Sequence, residues 1–317
     1  MTSVRGRGHA KVNLHLGVGD AREDGFHELC TVFQSLSLAD ELTVTSIDGD
    51  SPPQSGSVVR GLEVIGLGAA EVPTTPDNLV WRAVDMVVEK HRARGGAPVP
   101  MLELTLNKGI PTAGGMAGGS ADAATALLVM NKVLESYGTR LSQEELLEIA
   151  AQLGSDVPFT LLGGTMLGTG RGEQLVPMLS RGTFHWALAF NSAGLSTPRV
   201  FGKLDEMRAA RPDLARAGSV DALSTALLSG DAREVAQHLA NDLQAPALSL
   251  LPELRRTLRV GVDAGALAGV VSGSGPTCAF LCESQTQAAE VAEALIDAGV
   301  ATATAIAQGP AAGAELA

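Results

Sequence analysis

Residues 111–122 read Pro-Thr-Ala-Gly-Gly-Met-Ala-Gly-Gly-Ser-Ala-Asp, and an alanine-rich apolar pattern follows at once to about Val133. Few arrangements accommodate such a segment. Gly114, Gly115, Gly118 and Gly119 remove side chains where the backbone must come close to something. Ser120 and Asp122 suit a helix start, and the run behind them is a strong helix former. A helix start presents unpaired N–H groups and a positive dipole end, which favour a phosphate. Two commoner phosphate loops do not fit. A Walker A loop needs Lys after its last glycine, where this chain has Ser120, and a dinucleotide fingerprint is broken by the glycine spacing and by Pro111. A tight turn packed closely against a neighbour is the alternative.

Around this loop the patterning is mixed. Val12, Leu14, Leu16 and Val18 alternate with Lys11, Asn13, His15 and Gly17, which predicts a half-buried strand carrying Lys11, Asn13 and His15 on one face. A turn at 20–25 leads to Phe26, His27 and Glu28, then to strand material over 29–47 and a loop tip at 48–57. Helix spacing over 78–91 precedes an alternating strand over 101–108, which delivers Lys108 to the glycine loop. Ser142 and Glu145 form a capping-box pattern for a helix ending at Gly154. Pro158 disfavours helix at Val157, so Asp156 is expected in a tight connection beside that helix end. Beyond residue 175 a strand is expected over 184–190. Helices follow near 198–210, 220–229, 231–241 and 246–258. Val270 to Leu281 reads as strand, turn, strand around Gly273 and Gly275, then a helix capped by Ser284, a last strand over 300–307, and a frayed end over 309–317. Strands and helices in irregular order imply an α+β fold, and 317 residues imply two domains, 1–174 and 175–317.

Composition removes several classes. A formal charge of −12 opposes broad nucleic-acid binding but not a nucleotide ligand, which a few local groups can hold. Cys30, Cys278 and Cys282 form neither a metal-ligand spacing nor a disulfide framework, which fits a reducing cytoplasm. No apolar run approaches the roughly 20 residues of a membrane span. Neither a Gly-x-Ser-x-Gly elbow nor an anchored carboxylate pair supports hydrolase chemistry. Taken singly, Lys11 reads as a solvent-facing lysine, His27 as a loop histidine, Asp156 as a turn residue and the Gly273 to Gly275 stretch as a plain hairpin. Together, a phosphate loop, a lysine and an aspartate are the minimum for phosphoryl transfer, which needs positioned phosphates, cationic charge and a group to take or orient a hydroxyl proton.

The order of these motifs resembles the GHMP kinases, a family named for its galactokinase, homoserine, mevalonate and phosphomevalonate members. The resemblance rests on Ala10-Lys11-Val12-Asn13-Leu14, Asp24-Gly25-Phe26-His27-Glu28, Thr31-Val32-Phe33-Gln34, Asp77-Asn78-Leu79, the loop at 111–121 and Leu153-Gly154-Ser155-Asp156-Val157-Pro158. Thr197-Pro198-Arg199-Val200-Phe201, Asn241-Asp242 and Ser272-Gly273-Ser274-Gly275 extend it over almost the whole chain.

The resemblance implies an N-terminal domain like the second domain of ribosomal protein S5, a ferredoxin-like C-terminal domain, and a cleft between them. It implies ATP as phosphoryl donor with Mg²⁺, a small-molecule acceptor, no membrane or nucleic-acid partner, and a monomer or weak homodimer. Lys11 and Asp156 match the catalytic pair. Pro111, Thr112, Ala113, Gly114, Gly115, Met116, Ala117, Gly118, Gly119, Ser120 and Ala121 match the wrap around the ATP phosphates, with Asn78, Lys108 and Asp122 near the adenine. Asn13, Phe26, His27, Thr197 and Phe201 match a cytidine pocket, in which two aromatic faces sandwich the base and His27 meets its edge. No metal ligands can be assigned. The chain departs from the family in having Phe26 where Tyr is usual, Ala113 where Gly is usual, and Ala121 in place of a second loop serine. A mevalonate- or homoserine-type kinase and a catalytically silent nucleotide binder are the alternatives.

Overall fold

The alternation around Val12 and Leu14 extends into a long strand, β1 (Ser3–Ala21), paired antiparallel with an equally long β2 (His27–Ser46). The computed structural model describes residues 2–22, 25–47, 53–112 and 114–317. Residues 48–52 of the expected loop tip and Ala113 of the glycine loop lie outside them. The β1/β2 register slips between His9 and Lys11 and again between Asn13 and His15. Such bulges re-aim side chains, and these two bracket Lys11 and Asn13.

The chain continues through β3 (Val59–Gly66), α1 (Leu79–Ala93), β4 (Leu102–Lys108), α2 (Gly118–Glu135), α3 (Gln143–Leu153), α4 (Val157–Leu162), β5 (Thr165–Thr169) and β6 (Gln174–Pro177). The sequence cues act locally. The Asn78 side chain caps α1 by accepting from Val80 N–H at 2.8 Å, and Ser142 and Glu145 make the expected reciprocal capping box on α3. One half of β2 pairs with β4, and β4 with β3 in parallel; the other half of β2 pairs with β5, which pairs with β6. Helices α1, α2 and α3 bury Val84, Leu127 and Ile149 against Leu42 and Leu104 of this sheet.

The second half comprises β7 (Phe184–Phe190), α5 (Thr197–Ala210), α6 (Asp221–Ser229), α7 (Ala232–Ala236), β8 (Ala240–Asn241), α8 (Gln244–Leu250), α9 (Leu254–Asp263), β9 (Ala268–Val271), β10 (Cys278–Cys282), α10 (Gln285–Asp297), β11 (Ala303–Gly309) and β12 (Glu315–Leu316). A second, antiparallel sheet runs β11-β7-β10-β9, the ferredoxin-like order. One of its faces packs Trp186 and Leu188 against Val12 and Leu14 of β1, and the other packs Phe280 against Leu254, Val200 and Val291. The α+β expectation holds. Among the described residues no helix is long and apolar enough to cross a membrane.

Several local expectations are corrected. β1 is buried on both faces, so Lys11, Asn13 and His15 are 4%, 2% and 3% exposed rather than solvent-facing. The pleat period was readable, but the second layer comes from residues more than a hundred positions away. Val157 is helical, because a proline at the second position of α4 sacrifices only an N–H that has no helical partner. The helix expected over 246–258 breaks at Pro252 into α8 and α9, and that over 231–241 gives way to β8, which pairs with β1. The C-terminal residues are not frayed. Glu315 and Leu316 pair with Arg7 and Gly6, Ala312 bridges to Gly163, and Ala314 N–H donates to Thr160 O at 2.9 Å. Deleting residues 312–317 should therefore lower stability by about 1–3 kcal/mol in urea titration, where a frayed tail would leave the midpoint unchanged.

Candidate active site

A cleft of about 1070 Å³ lies where β1, the glycine loop, the start of α4, α5 and the β9–β10 turn converge. Lys11 projects into it from the bulged stretch of β1. Its Nζ donates to Asn13 Oδ1 at 2.7 Å and stands 3.8 Å from Asp156 Oδ2. Asn13 is oriented in turn by donating to Thr31 Oγ1 at 2.8 Å. Burial lowers the Lys11 pKa below its ordinary 10.5, and the negative charge of Asp156 offsets part of that. Asp156 occupies the N-cap position of α4 but makes no capping hydrogen bond, so its carboxylate is left for Lys11 and the cleft.

The glycine loop is seated from both sides. Lys11 N–H donates to Met116 O at 3.2 Å, which ties the loop to β1 at the lysine itself. From the second sheet, Ser272 Oγ donates to Gly115 O at 3.1 Å and Thr277 N–H to Gly114 O at 3.3 Å. Gly115 has φ 75°, and a Cβ there would overlap Ser272 O, so glycine is required by the protein's own packing. A Cβ on Gly119, by contrast, would meet only Leu79 Cδ1 at 3.8 Å, and this residue faces the cleft. The β9–β10 turn is thus a wall of the cleft rather than a plain hairpin. Asn241 holds it by donating to Val271 O at 2.8 Å and Gly273 O at 2.7 Å.

Helix α2 starts earlier than Ser120 and Asp122 suggested. Its N-cap is Ala117, at φ 59° and ψ 33°, which has no side chain to satisfy the first N–H groups. Among the described residues Ala117 alone holds a left-handed backbone without being glycine. Such strain concentrates at functional sites, and here it turns the uncapped helix start toward the cleft. Ser120 lies in this first turn and lines the cleft. Met116 and Ala121, in contrast, are fully buried in the layer between β1 and the second sheet. A hydroxyl at position 121 would therefore point into the core, which explains why Ala is accommodated there.

Asp122 does not cap the helix; it belongs to a buried charge cluster under the loop. Lys108 Nζ bonds Asp122 Oδ2 at 2.6 Å and also Asp40 Oδ2. Asp40 Oδ1 accepts from Gly109 N–H at 2.6 Å and Ile110 N–H at 2.8 Å, fixing the entry to the loop. Burial alone would lower the Lys108 pKa, but the two carboxylates outweigh it and hold it above the lysine norm. Burial and the charge of Asp40 raise Asp122 well above the carboxylate range.

At the other end of the cleft, His27 Nε2 lies 2.9 Å from Asp205 Oδ1, and its ring is 5.1 Å from that of Phe201. Phe26 is half exposed, with the Arg171 guanidinium 5.1 Å from its ring centre. Thr197 Oγ1 and Ser274 Oγ share a hydrogen bond at 2.9 Å. The cleft therefore gathers Lys11, Asn13, Phe26, His27, Asn78, Lys108, Pro111, Thr112, Gly114, Gly115, Ala117, Gly118, Gly119, Ser120, Asp122, Asp156, Thr197 and Phe201. Sequence reading missed Asp40, Arg171, Asp205 and Glu71, which lines the cleft and accepts from Thr112 Oγ1 at 2.7 Å. Of these only Asp205 left a signal, four residues beyond Phe201 on one helix face. No three His, Cys, Asp or Glu side chains converge to hold a metal among the described residues.

The GHMP kinases N terminal domain model matches residues 78–164 and the GHMP kinases C terminal model residues 223–301. The chain belongs to the GHMP kinase family. It is 56% identical over 308 residues to the 4-diphosphocytidyl-2-C-methyl-D-erythritol kinase of Corynebacterium diphtheriae, covering 97% of this chain and 96% of that one. It is also 56% identical over 310 residues to the enzyme of the same name from Nocardia farcinica, covering 98% and 95%. A crystal structure of 4-(cytidine 5′-diphospho)-2C-methyl-D-erythritol kinase superposes with a TM-score of 0.76 at 29% identity, covering 97% of this chain and 99% of that one.

The charge cluster generates a paired prediction. Asp40→Ala should cost about 3–5 kcal/mol, because it takes one of the two carboxylates from buried Lys108 and leaves two loop N–H groups unpaired. Asp122→Asn should cost less than Asp40→Ala, since an amide oxygen can still accept from Lys108 Nζ while Asp40 keeps its charge and its two loop bonds. Denaturant titration of both variants at about pH 7 checks the contrast.

Proposed function

We propose that this chain is an ATP-dependent kinase that phosphorylates the 2-hydroxyl of 4-(cytidine 5′-diphospho)-2-C-methyl-D-erythritol, in the methylerythritol phosphate route to isoprenoid precursors. The observation that carries the mechanism is the meeting of Lys11 and Asp156, 3.8 Å apart, beside an uncapped helix start behind a glycine loop. In this reading the backbone of 114–119, the Ser120 hydroxyl and the first N–H groups of α2 bind the ATP phosphates. Asn78 and the Lys108–Asp122 pair border the adenine. Asp156 accepts or orients the proton of the acceptor hydroxyl, and Lys11 pairs with Asp156 while offsetting charge on the transferring phosphoryl group. Phe26 and Phe201 supply aromatic faces for the cytosine, His27 its edge contact, and Asn13 and Thr197 polar contacts.

Asp156 and Ser120 both line the cleft and could offer oxygens to Mg²⁺, and among the described residues no three acidic or imidazole side chains converge, which fits an ion held mainly by phosphates and water. When bound, Mg²⁺ would neutralise phosphate charge. We divide the chain into an ATP-binding part, residues 1–174, and a substrate-binding part, residues 175–317, with Phe26 and His27 reaching across. We place it in the cytoplasm as a monomer or weak homodimer. Free Cys30, Cys278 and Cys282 support a reducing compartment; burial pushes the Cys278 thiol up to about 12.

ADP release should be seen with the cytidine-linked acceptor and not with mevalonate or homoserine. Asp156→Ala should lower kcat by about 10²–10⁴-fold; turnover of mevalonate or homoserine alone would overturn the substrate, and wild-type turnover in Asp156→Ala the mechanism. The lowered pKa of Lys11 also has a sign. The folded chain gives up this proton at a lower pH than the unfolded chain does. Stability therefore gains from Lys11 as pH rises toward 10.5, while activity falls over the same interval. Lys11→Arg should remove that alkaline fall at a reduced rate, as measured by kcat against pH beside a denaturation series.

A further inference from the structure

His27 opens β2 and is 8% exposed, with its ring gripped by α5. Phe201 and Asp205, one turn apart on that helix, meet it at the face and at an edge nitrogen: the rings are 5.1 Å apart and tilted 37°, and Nε2 is 2.9 Å from Asp205 Oδ1. An ionised carboxylate can only accept a hydrogen bond. The proton shared at this contact therefore resides on Nε2 of the imidazole, and in the neutral ring Nδ1 is left with a lone pair. Among the described residues no hydrogen bond to Nδ1 is formed, while His27 and Asp205 both line the cleft.

The two pyrimidines differ at the position such an acceptor reads. Cytosine carries an amino donor at C4, and uracil carries a carbonyl acceptor there. A lone pair at Nδ1 accepts from the first and repels the second. We infer that Asp205 is a positioning residue that fixes His27 as the Nε2–H tautomer and thereby makes the pocket select a cytosine-bearing acceptor over its uracil counterpart. The inference rests on the cytidine reading given above. Asp205 acts through His27 and need not touch the base. A bare tether between α5 and β2 would hold the helix without influencing base choice, and the two roles separate by experiment.

The nitrogen NMR spectrum of the His27 side chain, recorded at about pH 8, reports the tautomer directly. Wild-type protein should show Nε2 protonated and Nδ1 bare, whereas Asp205→Leu should show both tautomers. Kinetics with the cytidine-diphosphate acceptor and its uridine-diphosphate analogue supply the second readout. In Asp205→Leu, KM for the cytidine acceptor should rise with kcat held within about twofold, and the preference for cytosine should fall on the order of 10-fold. A wild-type His27 protonated on Nδ1 overturns the inference, and this measurement decides even if Asp205→Leu fails to fold. Wild-type selectivity that survives intact in a folded Asp205→Leu also overturns it, leaving the cytidine reading in place. Equal use of both acceptors by the wild-type chain overturns the base-selection role alone, whereas failure to turn over the cytidine acceptor overturns the cytidine reading itself.

Discussion

An ammonium buried on a strand, answered by one carboxylate across a cleft, is the constraint around which the molecule is arranged. Lys11 loses hydration in this buried position; Asp156 offsets part of that cost, and Asn13 accepts a hydrogen bond from its Nζ. Each partner needs its own support. Asn13 requires Thr31 on β2, and Asp156 requires a helix that begins beside it without claiming its side chain as a cap. The bulges on β1 and the proline early in α4 are the local devices that make this geometry possible.

The two buried lysines have opposite balances, and this divides their work. Lys108 contacts two carboxylates and is fully occupied in holding the entry to the glycine loop, directly and through Asp40. Lys11 has one carboxylate at longer range and stays electrostatically available to an incoming anion. Between them lies the uncapped start of α2, aimed by the left-handed Ala117. In the proposed reading phosphate is met by one cation and by backbone N–H groups, which is how a loop without a Walker lysine would serve a kinase.

The fold was largely legible where local chemistry decides it: the caps at Ser142 and Ser284, the strand over 184–190, and the glycine loop leading into α2. The site was legible mainly through resemblance, since Lys11, His27 and Asp156 each have an ordinary reading alone. Asp40, Arg171 and Asp205 escaped because each acts through a partner on another element: Lys108, Phe26 and His27. The C-terminal residues were misread because Glu315 and Leu316 bury little surface of their own and borrow the edge of β1 for their hydrogen bonds.

By itself the sequence determined the periods, the caps, and the position where a side-chain-free backbone meets a helix start. These follow from interactions within a few residues. Tertiary structure decided which glycines answer to packing and which face open space: Gly115 meets Ser272, whereas Gly119 faces the cleft. It also decided that Lys11 is buried rather than solvated, that Ala121 faces the core, and that His27 has a carboxylate on one ring nitrogen. Burial and charge pairing depend on what covers a residue, and across this cleft the covering groups come from distant parts of the chain.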